Sequence, residues 1–350
     1  MANNILLHGA TNCKSSNYGD FVYADMIYQY LQNAGMNAQF YQPSSFFCQY
    51  LKNYRTIFKI GKKDVTALVY IPGGYFGEGH AANWKENTIH FLRFMPIGIW
   101  AAFHQIPIAI LGIGAGPLQW FPLKKSVQYI CNHAKLITVR DEFSYLTLKK
   151  LCPANSNIIR SADLIVTNKN LKINKSNCRN NKVLLVHYNH SQEALGKFAE
   201  AVGMFFLKYP DYHIVVTSDQ ILSGDELLFE KFKRLSGVRC TFHRYNDPYE
   251  MSNLIGQADL IITSKLHVGV VGALMGKSVI SVPCHPEKTM RFYKEINEAD
   301  RCIPLFDATS NKIFELMQEK RLQQICISDV YIKKAEITWK HFENFLKELK

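Results

Sequence analysis

The sequence predicts an α/β protein of two domains, each built on a parallel sheet, with the sheets facing across a cleft. Three observations predict it. Short β-branched and aliphatic runs alternate with longer amphipathic stretches along almost the whole chain, the pattern of right-handed βαβ crossovers. The length, 350 residues, exceeds what one hydrophobic core usually serves. The alternation pauses once, in a polar, basic, Asn-rich stretch from Asn168 to Lys182. A structureless segment of that length is uncommon inside a compact domain, so it reads as a linker. The expected division is a first domain over residues 1–170, a linker over 171–182, and a second domain over 183–350 that ends in a C-terminal helix.

In the first half, strands are expected at residues 5–8, 67–71, 108–112, 136–139 and 158–159, with a helix over 20–33 stopped by Gly35. The N-terminus has no basic flank leading into a long apolar core, so it reads as a first strand rather than a secretory leader. The apolar region 94–123 is broken by Pro96, His104, Gln105, Pro107, Pro117 and four glycines between Gly98 and Gly116. It reads as a helix followed by a buried strand, not a membrane span. In the second half, strands are expected at 183–187, 213–217, 238–242, 259–263 and 278–282, and helices at 192–208, 225–235, 248–257 and 266–275. The tail over 329–350 has Trp339, Phe342 and Phe345 at helical spacing and reads as a core-packed helix.

Lys and Arg number 41 against 29 Asp and Glu, a net charge of +12. That balance favours anionic partners, but the basic residues never run five together, which argues against a nucleic-acid arm. Phosphate-bearing substrates remain, and peripheral contact with an acidic membrane face stays open. The nine cysteines contain no C-x-x-C pair, which removes the recognisable zinc and redox motifs and suits a reducing cytoplasm. The oligomeric state is not legible.

Ligands of parallel α/β sheets bind beyond the carboxyl ends of the strands, so the residues after each strand carry the functional reading. The first edge is His8-Gly9-Ala10, continuing to Asn17-Tyr18-Gly19-Asp20. Asp20 is either a helix N-cap or a contact to a sugar hydroxyl. The second is Pro72 to Gly79, where four glycines, Gly73 and Gly74 among them, let a ligand or the other domain come close. The third, Gly112 to Pro117, spaces its glycines as G-x-G-x-G around Gly114. That spacing does not match a dinucleotide fingerprint. At the fourth, Arg140 ends a strand. Its guanidinium either grips a carboxylate or phosphate or pairs with a neighbouring acid.

The most informative stretch is 258–288. Ser264, Lys265 and His267 open a helix directly after a strand, where free N–H groups and the dipole favour an anion. Lys288 returns to the same edge after the next strand. His187, His190 and His243 also stand at strand ends, with His187 the candidate at the cleft edge of the second domain. No metal-ligand spacing, nucleophile elbow or phosphate-loop motif is present.

Taken in order, Asn17-Tyr18-Gly19-Asp20, Pro72-Gly73-Gly74, Gly112 to Pro117, Val139-Arg140-Asp141 with Ser144, Ala162-Asp163, and Ser264-Lys265-Leu266-His267 through Lys288 resemble the polysaccharide pyruvyl transferase family. The resemblance spans about residues 5 to 295. It implies two Rossmann-like domains in the GT-B arrangement. It also implies phosphoenolpyruvate as donor and a hexose or N-acetylhexosamine as acceptor, in a surface polysaccharide or its lipid-linked precursor. The family's donor-side Arg, His and Lys map onto Arg140, His267 and Lys288. The family usually has Arg two residues before the motif His, where this chain has Lys265, so the charge is kept and the bidentate fork is lost.

On this reading Arg140, Lys265 and Lys288 hold the donor's anions, His267 is an acid/base or a phosphate ligand, and Asp20 is a base on an acceptor hydroxyl. No metal or other cofactor is required, and no nucleic acid is involved. The expected location is cytoplasmic, with the inner membrane face as the docking alternative. Two competing readings keep the architecture or the ligand. One is a GT-B glycosyltransferase or sugar-nucleotide epimerase using a nucleotide-sugar. The other is a non-catalytic protein that binds a glycan or lipid phosphate.

Overall fold

The computed structural model describes residues 4–12, 16–55, 61–78, 83–171, 182–188, 191–221 and 224–349. The expected linker 171–182 therefore lies, but for its two ends, outside the described residues, as do Gly79 and His190. The chain divides into two compact units: residues 1–16, 20–167 and 332–350 in the first, and 17–19 and 168–331 in the second.

The first unit follows the expected alternation. Its elements are β1 (Asn4–His8), α1 (Tyr18–Asn33), β2 (Asn37–Tyr41), β3 (Tyr54–Arg55), β4 (Ala67–Tyr70), α2 (Trp84–Phe94), α3 (Pro96–Phe103), β5 (Ile108–Ile113), α4 (Phe121–His133), β6 (Leu136–Val139), α5 (Glu142–Leu151) and β7 (Ile158–Arg160). The strands form one parallel sheet in the order β3-β2-β1-β4-β5-β6-β7. Every residue of β4, β5 and β6 is buried, as expected for strands covered on both faces. β2 and β3 escaped sequence reading. Asn37 and Gln39 alternate with Ala38 and Phe40 along β2, and β3 is only two residues long, so neither gives the aliphatic run that marks the central strands.

The second unit contains β8 (Lys182–His187), α6 (Gln192–Lys208), β9 (Tyr212–Thr217), α7 (Asp225–Ser236), β10 (Cys240–His243), α8 (Pro248–Gln257), β11 (Leu260–Thr263), α9 (Leu266–Leu274), β12 (Ser278–Ser281), α10 (Pro286–Glu295), α11 (Ser310–Lys320) and α12 (Asp329–Lys347), whose residues from Ile332 onward belong to the first unit. Its parallel sheet runs β10-β9-β8-β11-β12. Among the described residues no helix is long and apolar enough to cross a membrane, and the described cysteines are free.

The C-terminal helix corrects the expected domain boundary. Proximity in the chain assigned it to the second domain, yet from Ile332 onward it completes the first. Trp339 stacks on Tyr30 of α1 with ring centroids 4.4 Å apart, and its indole N–H donates to Thr167 Oγ1 at 2.8 Å. Ser161 Oγ donates to the Lys334 carbonyl at 2.9 Å. The outer side of α1 carries aromatic surface that needs a cover, and α12 supplies it. Trp339→Ala is therefore expected to destabilise the first unit by about 3 kcal/mol. Chemical denaturation should show the transition of that unit shifted and the other unmoved.

Candidate active site

The carboxyl edge of the second sheet gathers most of the residues singled out by sequence. β11 ends at Thr263, and α9 begins at Leu266 with Lys265 in the N-cap position and no side-chain cap. Ser264, between them, is 4% exposed, and its hydroxyl has no hydrogen-bond partner among the described residues. His187, the last residue of β8, is fully buried. Its Nδ1 lies 2.9 Å from Thr263 Oγ1, and its Nε2 lies 3.4 Å from Asp219 Oδ1. Lys265 Nζ lies 3.8 Å from the same carboxylate oxygen. Thr263 Oγ1 accepts the Lys265 backbone N–H at 3.1 Å. Three strand ends are thus joined through one buried carboxylate.

Asp219 is the residue that sequence reading missed. It follows β9 in Thr217-Ser218-Asp219, the same strand-end position that selected the other candidates, and it is 3% exposed. Burial opposes its ionisation, but Lys265, the hydrogen bond with His187 and the nearby His267 outweigh burial and hold the carboxyl below its ordinary range. Asp219 therefore stands as an anion under the two basic side chains.

His267, in the first turn of α9, packs on Gly19. A Cβ built at Gly19 would collide with His267 Nδ1, so only glycine leaves room for the imidazole. Tyr18 and Gly19 are held in this unit: the Tyr18 N–H donates to the Asp219 carbonyl at 3.2 Å, and the Tyr18 hydroxyl meets Ser252 Oγ at 2.8 Å. The two motifs farthest apart in sequence, 17–20 and 264–267, therefore meet through Gly19 and His267. Lys288 lies in the first turn of α10, whose N-cap is His285, again without a side-chain cap. Burial, then the charges of Lys288 and Lys265, lower the proton affinity of His285. His285 is thus held neutral by burial and by the charges of Lys288 and Lys265, which both act on it.

The first unit holds the remaining candidates. The Gly114 N–H donates to the Gly73 carbonyl at 2.7 Å, and the Gly116 N–H to the Phe76 carbonyl at 2.9 Å, so the two glycine-rich loops run side by side beyond β4 and β5, with Gly74 in the first. Arg140 lies under them. A Cβ at Gly114 would meet its Nη2 at 2.9 Å, so this glycine makes room for a protein side chain.

Arg140 is 6% exposed, and its Nε is 3.7 Å from Asp141 Oδ2. Tyr23 donates to Asp163 at 2.8 Å and hydrogen-bonds with the guanidinium. Burial raises the Asp163 carboxyl, against the opposing effects of Arg140 and the Tyr23 hydroxyl. Arg140 thus stands within ion-pair distance of Asp141. Asp141 caps α5, accepting the Ser144 N–H at 2.8 Å. Asp20 is the third residue of α1, not its cap. Asn17 stands before the helix, and its side chain accepts the Gly19 N–H at 3.0 Å.

His8, at the end of β1, is enclosed by the rings of Tyr41, Tyr70 and Phe94 at centroid distances of 5.5, 5.5 and 5.9 Å. Burial lowers its pKa to about 4, and nearby backbone carbonyls offset this only in part. Among the described residues no group of three His, Cys, Asp or Glu side chains is arranged to hold a metal.

Comparison with known families matches residues 17–286 to polysaccharide pyruvyl transferase. The chain belongs to the polysaccharide pyruvyl transferase family. The matched stretch holds Gly19, Asp20, Arg140, His187 and His267, and stops short of Lys288. No curated protein matches the chain.

Among solved structures, the UDP-GlcNAc 2-epimerase from Neisseria meningitidis bound to UDP-GlcNAc is similar with TM-score 0.67 at 14% identity, covering 99% of this chain and 100% of that one. The Methanocaldococcus jannaschii UDP-GlcNAc 2-epimerase gives 0.64 at 12%, covering 98% and 100%. Acinetobacter baumannii MurG gives 0.52 at 12%, covering 97% and 99%. At such identity the likeness concerns the fold, which is GT-B.

Two measurements check this geometry. Gly19→Ala should displace the His267 imidazole and lower pyruvyl transfer by about 100-fold, while circular dichroism keeps the fold. His8 protonates in the unfolded chain near pH 6.5 but in the native state only near pH 4. Its contribution is thus complete above pH 6.5 and is lost as pH falls towards 4, about 3 kcal/mol in all. Denaturation of wild type and His8→Gln across that range should differ by this one-proton slope.

Proposed function

We propose that the chain transfers the pyruvyl group of phosphoenolpyruvate to a hexose or N-acetylhexosamine of a surface polysaccharide or its lipid-linked precursor, closing a cyclic pyruvate ketal. Family membership supports an enzyme of polysaccharide pyruvylation. The start of α9 supports an anionic donor, and it is the observation that carries the proposal. The helices α2, α5, α6, α8 and α11 are capped by Asn83, Asp141, Ser191, Asp247 and Thr309. At α9 that position holds Lys265, which cannot accept a hydrogen bond. Asp219 lies 3.8 Å from its ammonium, and no side chain caps the helix start, whose N–H dipoles favour an anion. Beside it Ser264 keeps a buried hydroxyl without a partner among the described residues. Lys288, in the first turn of α10, offers a second cationic position, which suits a donor with both a phosphate and a carboxylate.

The chemistry assigns the remaining roles. A proton adds to the donor's methylene carbon and leaves a cation-like C2. One sugar hydroxyl adds there and gives up its proton. The bond from C2 to the phosphate oxygen breaks, its electron pair leaving with phosphate. The second hydroxyl adds and gives up its proton to the phosphate, so one dianionic hydrogen phosphate and one ketal carboxylate result. Lys265, Ser264 and the first N–H groups of α9 hold the phosphate, and Lys288 holds the second anion. His267 carries the proton to or from the reacting atoms or binds the phosphate. Arg140 fixes the Gly73 and Gly114 loops, and Asp20 is the base for an acceptor hydroxyl. The scheme uses no cofactor.

A nucleotide-sugar donor is the second reading, favoured by the likeness to structures of UDP-GlcNAc 2-epimerase. Thermal-shift measurements separate the two. Phosphoenolpyruvate should raise the melting temperature and UDP should not. With a panel of glycosides, the product should gain the mass of one pyruvic acid less one water and release phosphate. His267→Ala and Lys265→Ala should each lower that rate by on the order of 10²–10³. Stabilisation by UDP alone, or full turnover in both variants, would overturn the proposal.

A further inference from the structure

We propose that the edge formed by α2 and the start of α4 docks the protein on an anionic lipid bilayer. On α2, Asn87, Phe91 and Phe94 face inward at helical spacing, while Lys85, Ile89 and Leu92 repeat the same spacing outward. Trp84 is 75% exposed, Leu92 60% and Ile89 46%. α4 opens on Phe121, which is 67% exposed, with Lys124 and Lys125 one turn on. The two elements are neighbours: Phe91 and Trp120 meet edge to face with centroids 6.1 Å apart. The Glu78 carboxylate accepts the N–H groups of Gln119 and Trp120 and pins this corner. Large apolar side chains that stay exposed together mark an interaction surface.

Charge decides the occupant. Between Trp84 and His133 the chain carries four basic residues, Lys85, Arg93, Lys124 and Lys125, against one acid, Glu86. Lys125 Nζ sits 5.7 Å from the centre of the Phe121 ring, so stem and ring present one apolar surface with a cationic rim. Trp and Phe beside Lys and Arg fit the headgroup level of a bilayer, the aromatics entering and the cations meeting lipid phosphates. No spanning helix is needed. α4 follows the Gly112–Gly116 loop, so the surface lies at the carboxyl edge of the first sheet, where a lipid-linked acceptor would be delivered. The inference does not depend on phosphoenolpyruvate being the donor.

Flotation of the full chain with vesicles tests it. Vesicles of phosphatidylcholine with one third phosphatidylglycerol should carry the protein, and pure phosphatidylcholine should not. Raising the salt should release it. Lys124→Glu with Lys125→Glu should lower partitioning by roughly 30-fold or more, taking about a factor of five per lysine. Trp84→Ser with Phe121→Ser should also weaken it. Lys333→Glu with Lys340→Glu makes the same charge change on exposed residues of α12 and should leave binding intact. Absence of flotation by the wild type would overturn the proposal. So would equal loss in the α12 control, or an oligomer that the Trp84 and Phe121 variant dissociates without any effect on vesicle binding. Circular dichroism on every variant confirms that it is folded.

Discussion

The arrangement of the second unit depends on one buried negative charge. A carboxylate that is 3% exposed costs several kcal/mol to take out of water unless cations and hydrogen bonds compensate it. At Asp219 the compensation comes from β8 through His187 and from the start of α9 through Lys265. Three loops from three strands are therefore fixed against one another by electrostatics, not by apolar packing alone. The backbone joins in, since the Asp219 carbonyl takes the Tyr18 N–H. That bond brings Gly19 under His267.

This explains why lysine suits position 265. A guanidinium would commit its planar fork to the carboxylate below it. An ammonium is a point charge with three rotatable donors. At 3.8 Å from Asp219 and with its side chain 20% exposed, it can neutralise the buried acid and still turn a donor towards an anion above. The first unit uses the opposite solution. Arg140 is almost wholly buried, with Asp141, Asp163 and Tyr23 around it and Gly114 lying on its face. Its fork lies among acids and a phenol of its own unit.

The sequence disclosed the parts whose signal is local. The central strands are aliphatic runs, and most helices match their apolar periods to within a residue or two. The strand-end rule found Ser264, Lys265, His267 and Lys288 because each sits where a parallel sheet exposes its carboxyl edge. Three kinds of feature were not legible. β2 is a half-polar strand whose pairing with β1 is a long-range fact. The placement of α12 depends on the aromatic side of α1, more than 300 residues earlier in the chain. Asp219 looked like an ordinary turn residue after a strand. Nothing in Thr217-Ser218-Asp219 says that the carboxylate turns inward beneath a lysine 46 positions later. Nor could the sequence show that Gly19 and Gly114 make room for His267 and Arg140.

The net charge of +12 gains meaning once these pairings are known. Arg140 and Lys265, the two cations buried deepest at the strand edges, are matched by acids in their own units, so the surplus does not arise from them. It is carried in part by Lys85, Arg93, Lys124 and Lys125 on α2 and α4 and by Lys288 on α10. Both places are positive for a physical reason that folding alone does not require. Folding would be served as well or better by capping α10 with Asp or Ser and by alternating the signs along α2 and α4. A helix start without a side-chain cap, as at α9 and α10, and a rim with four cations against Glu78 and Glu86 each give up a little stability. On the two proposals, these places take anionic partners of different size, a small one at the starts of α9 and α10 and an extended one along the edge of α2 and α4.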